Sequence, residues 1–565
     1  MAMRIDHPAI TVPSPTMLSI NTIARKTRPS AIAALAALIA LTLAFPQNTT
    51  AQHPTPARDA ATQTPDSTDI WQLILVNGEK AGWGRLATHT LEDGSIATTE
   101  RAVMTLDRMG SPLTVEESQT FLETNEHNPL SITRTVRSGD TTRQESYRFD
   151  HEKGLINITI QTAHNPTDPP RTTNKTVPIP ERPWLTPAAL NRYNAARLRA
   201  GAQQFTTHAL SADNGVVRPV TMRITIDDNE PFTLPSGDTI TATATTTTTD
   251  ELPGVPIRSL VDHNATPLSS TITLGALTIT TTLTTRDIAT ADWDAPEFMA
   301  STLVAPKGKP LQNPRRLKRA VYTLRAESGD LPTIPTAGIQ SATTNPDDSV
   351  TLTVNTAAPP APAKPTEDQR RAALHATAAA DSNHPAITAL AQRALDQANL
   401  TEDSPDHQRA EALREFTFRY ITDKSLAHAF ATATETAASR AGDCTEHAAL
   451  LTALLRAQNI PARVATGLIY TTTPTAQPNN NNNNNNPGVF GYHMWTQALL
   501  PHPTEPNTLA WHDLDAAWPN PIDPTHIALA FSTLPDTAPE GDLPPLLAII
   551  GNLSITVEST TPQAP

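Results

Sequence analysis

Residues 440–470 read RAGDCTEHAALLTALLRAQNIPARVATGLIY. Leu450, Leu451, Leu454 and Leu455 recur at helical spacing, which predicts a helix over 444–458. Asn459 and Pro461 stop it, and the apolar, partly β-branched 463–470 predicts a strand. The segment therefore runs helix, tight turn, strand, and it sets Cys444, the single cysteine of the chain, in the first turn of the helix. Unpaired backbone N–H groups and the positive end of the helix dipole favour thiolate there, so a thiol pKa below the ordinary value is expected. The plainer alternative is a small buried hydrophobe at a helix start.

A thiolate enzyme needs an imidazole to take and return the proton, and a group to orient that imidazole. The chain has 17 histidines, so only setting can single one out. His493 opens the alternating segment 493–500, which predicts a strand; a second strand-like segment ends at Asp515, and 501–507 between them has turn composition. A hairpin centred near Thr504 places Leu500 opposite Thr508 and His493 opposite Asp515, within reach of an imidazole–carboxylate contact. In that register Asp513 faces Trp495. His447 is a rival base, three residues from Cys444 on the same helix, but side chains tilt towards the helix N-terminus and no carboxylate is evident to orient it. It is expected to pack or hydrogen-bond behind the nucleophile. The spacing of His512, Asp513, Asp515 and His526 matches no metal motif, so neither a metal nor a cofactor is expected.

With those residues in view, 440–470 resembles the nucleophile segment of the transglutaminase-like superfamily, in its exported bacterial type. There a Gly-Asp-Cys helix is followed by a Gly-Ile-Pro-Ala-Arg turn and a strand, and Asn459 stands here in place of that turn's Gly. Tyr492-His493-Met494-Trp495 resembles the family's His-Ala-Trp, and Trp511-His512-Asp513-Leu514-Asp515 its Trp-x-x-x-Asp; Asp523-Pro524-Thr525-His526-Ile527 is a further match. The resemblance spans about 411–530. It implies a papain-like fold with Cys444 as nucleophile, His493 as general base and acid, and Asp515 as orienter. It also implies attack on a carboxamide or peptide carbonyl, with the Cys444 N–H as first oxyanion donor and a thioester resolved by water or by an amine.

Outward from this segment, Thr366 and Gln369 read as a capping box opening a helix, a second helix starts at Pro385, and a third covers 406–420. Before them, 357–365 (AAPPAPAKP) holds four prolines, which remove backbone donors; this stretch reads as a linker that continues neither sheet nor helix, and as the main domain boundary. Residues 69–356 read as β-rich. Trp71, Leu73 and Leu75 alternate up to Asn77-Gly78, a two-residue hairpin turn, and alternation recurs at 156–160, 277–283 and 350–354. One helical interruption is expected over 187–203 behind Thr186. No catalytic constellation is legible in this region. The expected class is α+β: a papain-like, transglutaminase-like domain over 366–558 behind a large β-rich region.

Ala31 to Phe45 is an apolar run of 15 residues preceded by Arg25, Lys26 and Arg28 and followed by small residues, the pattern of a signal peptide over 1–51, with a linker over 52–68. The run is short for a membrane span, so export to the periplasm or beyond is expected, with membrane attachment only if the segment stays uncleaved. Met17 would give the leader a more conventional start than Met1. The lone cysteine fits export with a thiol kept for its reactivity, since no intrachain disulfide can form. A formal net charge of −14 argues against nucleic-acid binding. The one basic cluster, Lys307, Lys309, Arg315, Arg316, Lys318 and Arg319, reads as a solvated strand flank. Eight consecutive Asn before Pro487 read as a loop insertion. The expected partner is a protein or peptide substrate, with hydrolysis favoured; amine-transferring cross-linking is the alternative, and a non-catalytic binding protein with a relic triad is the third reading.

Overall fold

The computed structural model describes residues 67–562 apart from 108–111, 140, 164–169, 214, 253, 276, 298–301, 425–430, 472–487 and 535–548. The expected leader, nearly all of the linker after it and the Asn run lie outside the described residues. Among the described residues, no helix is long and apolar enough to cross a membrane.

Fourteen strands, from β1 (Thr68–Val76) to β14 (Leu277–Thr284), form one antiparallel sheet in which β1 pairs with both its successor and β14. The Asn77-Gly78 turn forms as expected, with both residues at positive φ, the geometry that lets a two-residue turn follow the strand twist. The sheet curls on itself: Leu210 and Ala212 pack with Phe121, Ile132, Tyr147 and Ile158. Its inner face also holds a buried ionic cluster, in which Arg134 meets Glu117 at 2.6 Å and Asp213 at 2.8 Å. Charged residues at inward strand positions carry no apolar alternation, so periodicity does not reveal this cluster. The helix α1 (Pro187–Arg199) lies where expected but ends earlier, and Thr186 caps it without a side-chain hydrogen bond. A short helix α2 (Arg286–Thr290) follows β14.

Next come β15 (Lys307–Gly308), β16 (Leu317–Ala326), β17 (Gln340–Thr344) and β18 (Val350–Asn355). They are joined in one sheet by the last strand of the chain, β24 (Leu553–Pro562), which pairs with β15 and β16. The remaining sheet is β19 (Pro362–Ala363), β20 (Ala462–Thr471), β21 (Val489–Pro501), β22 (Leu509–Leu514) and β23 (Ile527–Ser532), in the order β19-β22-β21-β20-β23.

This last sheet is covered on both faces. On one side lie α3 (Glu367–Leu374), α4 (Pro385–Gln397), α5 (Asp406–Tyr420), α6 (Ala433–Ser439) and α7 (Cys444–Ala457). Ile387, Leu390, Leu413, Phe416, Leu450 and Leu454 share a core with Ala462, Ala498 and Leu514 of the sheet. On the other side Tyr322, Leu352, Val354 and Ile555 of the preceding sheet pack on Leu468, Tyr470, Phe490, Ile527 and Leu529.

Two expectations change here. Residues 357–365 do not stand outside the sheets, because Pro362 and Ala363 pair with Ala510 and Leu509 as β19; an edge strand tolerates proline since one row of its backbone groups needs no partner. Nor is 357–365 a division between cores. Strands β16 and β18 precede it, yet they share one apolar core with β20, β21 and β23. The α+β class holds, with a β-rich N-terminal region and a helix-containing C-terminal one.

Candidate active site

The Gly442-Asp443-Cys444 step is built by a capping box. The Asp443 carboxylate accepts the Thr445 N–H at 2.9 Å, and Glu446 reaches back so that its Oε2 accepts the Asp443 N–H, also at 2.9 Å. Glu446 is fully buried and its Oε1 accepts the Ala431 N–H at 3.0 Å, tying the loop before α6 to the start of α7. Gly442 has φ +150°, and a Cβ there would fall 2.3 Å from the Glu446 Cβ. Only glycine satisfies both conditions. Cys444 follows as the first helical residue, half-buried.

Helix α7 is fixed against β21, whose Thr496 hydroxyl donates to the Ala448 carbonyl at 3.1 Å. That contact brings the far end of β21 to the helix N-terminus, and the Met494 backbone N–H hydrogen-bonds the Cys444 sulfur. His493 is the neighbour of Met494. Its Nε2 lies 2.8 Å from Asp515 Oδ2, with both residues buried. A carboxylate only accepts, so Nε2 carries the proton and the lone pair of the neutral ring lies on Nδ1.

The pairing that produces this contact differs from the expected register. Strand β22 pairs with β21 as Thr496↔Leu514 and Leu500↔Ala510, two residues off the hairpin centred at Thr504. The turn is longer, because His502 Nδ1 accepts the Glu505 N–H and the His502 N–H reaches the Thr508 carbonyl, so that Pro501 pairs with Leu509. Asp513 therefore faces Gln497, and its Oδ1 accepts both Trp495 Nε1 and Gln497 Nε2 at 2.8 Å. The ladder ends at Leu514, and Asp515 meets His493 from the chain beyond it. The His493–Asp515 contact forms; the cross-strand reason expected for it does not.

Burial pushes the Cys444 thiol well above its ordinary value; the charges of Asp443, Glu446 and Asp515 add to this, and the Met494 N–H opposes it. The expected depression at a helix N-terminus is overturned, because desolvation and three nearby carboxylates outweigh the favourable amide. The resting sulfur is thus a thiol. Burial alone would also raise Asp515, but the charge and hydrogen bond of His493, with those of His526, hold it well below the usual carboxylate range. Its Oδ1 accepts the Ala517 N–H at 2.8 Å.

His447 hydrogen-bonds beside Cys444, at the start of α7. Its Nδ1 is 2.6 Å from the Asp443 carbonyl, and burial lowers its pKa to about 4, so it is neutral near pH 7. His526 was legible in the sequence only as part of a motif. In the structure its Nε2 is 3.3 Å from the same Asp515 Oδ2, and His493, Asp515 and His526 each offer a donor atom within 4.8 Å of the others. His512 and Asp513 stand outside this group. The basic cluster needs a correction too: Arg315 is not a solvated flank, since its guanidinium meets Asp523 at 2.7 Å, bonds the Tyr470 carbonyl and lies over Trp518.

The model of the Transglutaminase-like superfamily matches residues 389–516, a span that contains Cys444, His493 and Asp515. Residues 389–516 are therefore transglutaminase-like. No curated protein matches the sequence. Two solved structures show loose likeness: a β-barrel-like protein of a domain of unknown function from Brucella abortus (11% identity, 38% of this chain and 94% of that one, TM-score 0.29) and a candidate cysteine protease from Cytophaga hutchinsonii (17%, 44% and 91%, TM-score 0.24).

Proposed function

We propose that this chain is an exported thiol enzyme that attacks peptide or side-chain amide carbonyls through Cys444, His493 and Asp515, with water as the favoured acceptor. The observation that carries the reading is the buried 2.8 Å contact of His493 Nε2 with Asp515, one residue from the N–H that bonds the Cys444 sulfur. His493 Nδ1 takes the thiol proton as the sulfur attacks, and the imidazolium that forms is stabilised by Asp515. A thiol that is protonated at rest makes this transfer part of the attack rather than a prior ionisation. The Cys444 N–H, at the first turn of α7, is the first oxyanion donor. Trp495 Nε1 is committed to Asp513 and does not serve as the second. His493 then protonates the leaving amine, and water or a second amine resolves the thioester.

The test uses the full chain with a mixed protein substrate and three readouts: new N-termini, ammonia release and incorporation of a fluorescent primary amine. New N-termini or ammonia, lost in Cys444→Ser, support hydrolysis; amine incorporation lost in the same variant moves the reading to cross-linking. Activity that survives Cys444→Ser, or none in the parent, overturns the thiol mechanism. N-terminal sequencing of the protein outside the cytoplasm tests export, and a mature start near residue 52 is expected.

A further inference from the structure

Asp515 Oδ2 is shared by two imidazoles, and one of them, His493, adjoins the residue whose N–H bonds the Cys444 sulfur. His526 Nε2 approaches that oxygen at 3.3 Å from the loop before β23. Its ring stands edge-on to His493, 6.1 Å between centroids, and edge-on to Trp495 at 5.5 Å. At the other nitrogen, Nδ1 lies 3.2 Å from the Asp523 carbonyl, 3.4 Å from the Asp523 backbone nitrogen and 3.7 Å from Asp523 Oδ1. Acceptors thus stand at both ring nitrogens. Asp523 is itself held as an anion by the Thr525 N–H at 2.8 Å, the Thr525 hydroxyl at 2.6 Å and Arg315 Nη1 at 2.7 Å.

We infer that His526, clamped between Asp515 and Asp523 and anchored through Asp523 to Arg315, is a positioning residue that orients Asp515 and moderates the basicity of His493. The inference rests on the triad reading above. His526 is buried, yet hydrogen bonds to Asp515 and Asp523 and the charges of both outweigh the burial that would depress it, and raise its pKa to about 9. The charged or titratable groups around it are His493, Asp513, Asp515, Asp523 and, beyond Asp523, Arg315. A cation on the far side of Asp515 offsets part of the carboxylate's pull on the His493 proton. It also explains why the β-rich half reaches this site: Arg315 precedes β16, some 200 residues from the Asp523 that it fixes.

The test exploits the lone cysteine. Alkylation of the full chain by iodoacetamide, read by intact mass, follows Cys444 with no background across neutral and alkaline pH. His526→Gln keeps an amide donor for Asp515 but removes the charge, so every nearby group becomes more basic. At an effective dielectric of about 20 and about 6 Å, the midpoint of the rate-against-pH curve is expected to rise by about one unit or more. His526→Lys, which keeps the charge, should stay near the parent. A residue that only packs would change stability or overall rate and leave the midpoint in place; an unmoved midpoint in His526→Gln, with His493→Gln and Asp515→Asn still altering the curve, overturns the inference and spares the triad. Unaltered curves in those last two variants overturn both. Independently of any variant, ¹⁵N-histidine labelling of the parent should show one imidazole doubly protonated up to about pH 9; its absence also overturns the inference.

Discussion

Replacing Asp515 by Asn changes one atom and should disable the base, for a reason visible in its donors. Oδ2 faces Nε2 of His493 at 2.8 Å and of His526 at 3.3 Å, while Oδ1 accepts the Ala517 N–H at 2.8 Å. Three donors converge on two oxygens, and an amide has only one. If the Asn oxygen keeps Ala517, its NH₂ faces His493 and forces Nε2 to accept. The ring proton then moves to Nδ1, the nitrogen that should receive the thiol proton. If the amide flips, its NH₂ opposes the half-buried Ala517 N–H, which costs about 1 kcal/mol for the unsatisfied group. Either way turnover is expected to fall by about a thousandfold to ten-thousandfold, about 4–5.5 kcal/mol of barrier, with the fold kept. Asp513 offers the control: both of its donors, Trp495 Nε1 and Gln497 Nε2, bond the same Oδ1. An Asn oxygen can take both, and burial already raises the Asp513 pKa towards a neutral side chain. Asp513→Asn should stay within a few-fold of the parent. Steady-state rates of both variants, with circular dichroism to confirm folding, decide the matter; equal losses, or an Asp515→Asn variant with a tenth or more of parental activity, would refute the reasoning.

Gly442→Ala meets both a positive φ and the Glu446 Cβ at 2.3 Å, and is expected to cost about 3 kcal/mol in urea unfolding from strain and overpacking together. In a His493→Gln background the thiol loses its base, and its alkylation midpoint should lie above the ordinary thiol value, as burial and the neighbouring carboxylates dictate; a midpoint below it would restore the helix-dipole expectation. His526 is raised from 6.5 to about 9, so the stability it contributes is fully present below about pH 6.5 and is lost as pH rises through about 9. Thermal unfolding of the parent should therefore weaken over that window, and His526→Gln should flatten the change. A fragment beginning at Thr366 lacks β19 and leaves Leu468, Tyr470, Phe490, Ile527 and Leu529 uncovered, so it should aggregate or lack a cooperative transition, whereas one beginning at Thr302 should unfold cooperatively; a soluble, cooperative Thr366 fragment would reinstate the boundary at 357–365.

What the sequence determined by itself is what a few neighbouring residues can determine. The Thr366–Gln369 capping box, the helix starts at Pro385 and Cys444, the bounds of 406–420 and the Asn77-Gly78 turn all depend on contacts within about one helical turn or one hairpin loop, and all appear as read. The candidates Cys444, His493 and Asp515 were chosen from the short patterns that surround each, and the structure brings His493 to Asp515. Even so, the purpose of Gly442 and Glu446 escaped, since both act through one buried side chain whose position only packing defines.

Tertiary structure decided the rest. The register of β21 on β22 hangs on a turn shaped by His502 ring contacts, and a two-residue slip is invisible to an alternating pattern because it preserves every face. The sign of the Cys444 shift depends on burial and on carboxylates brought together by the fold, against which the local helix end is the smaller influence. The core shared by β16, β18 and β24 with β20, β21 and β23 joins residues more than a hundred apart, and His526 with Arg315 likewise meets its partners only through the packed sheets. Desolvation and long-range pairing are properties of the assembled interior, and no short window of sequence contains them.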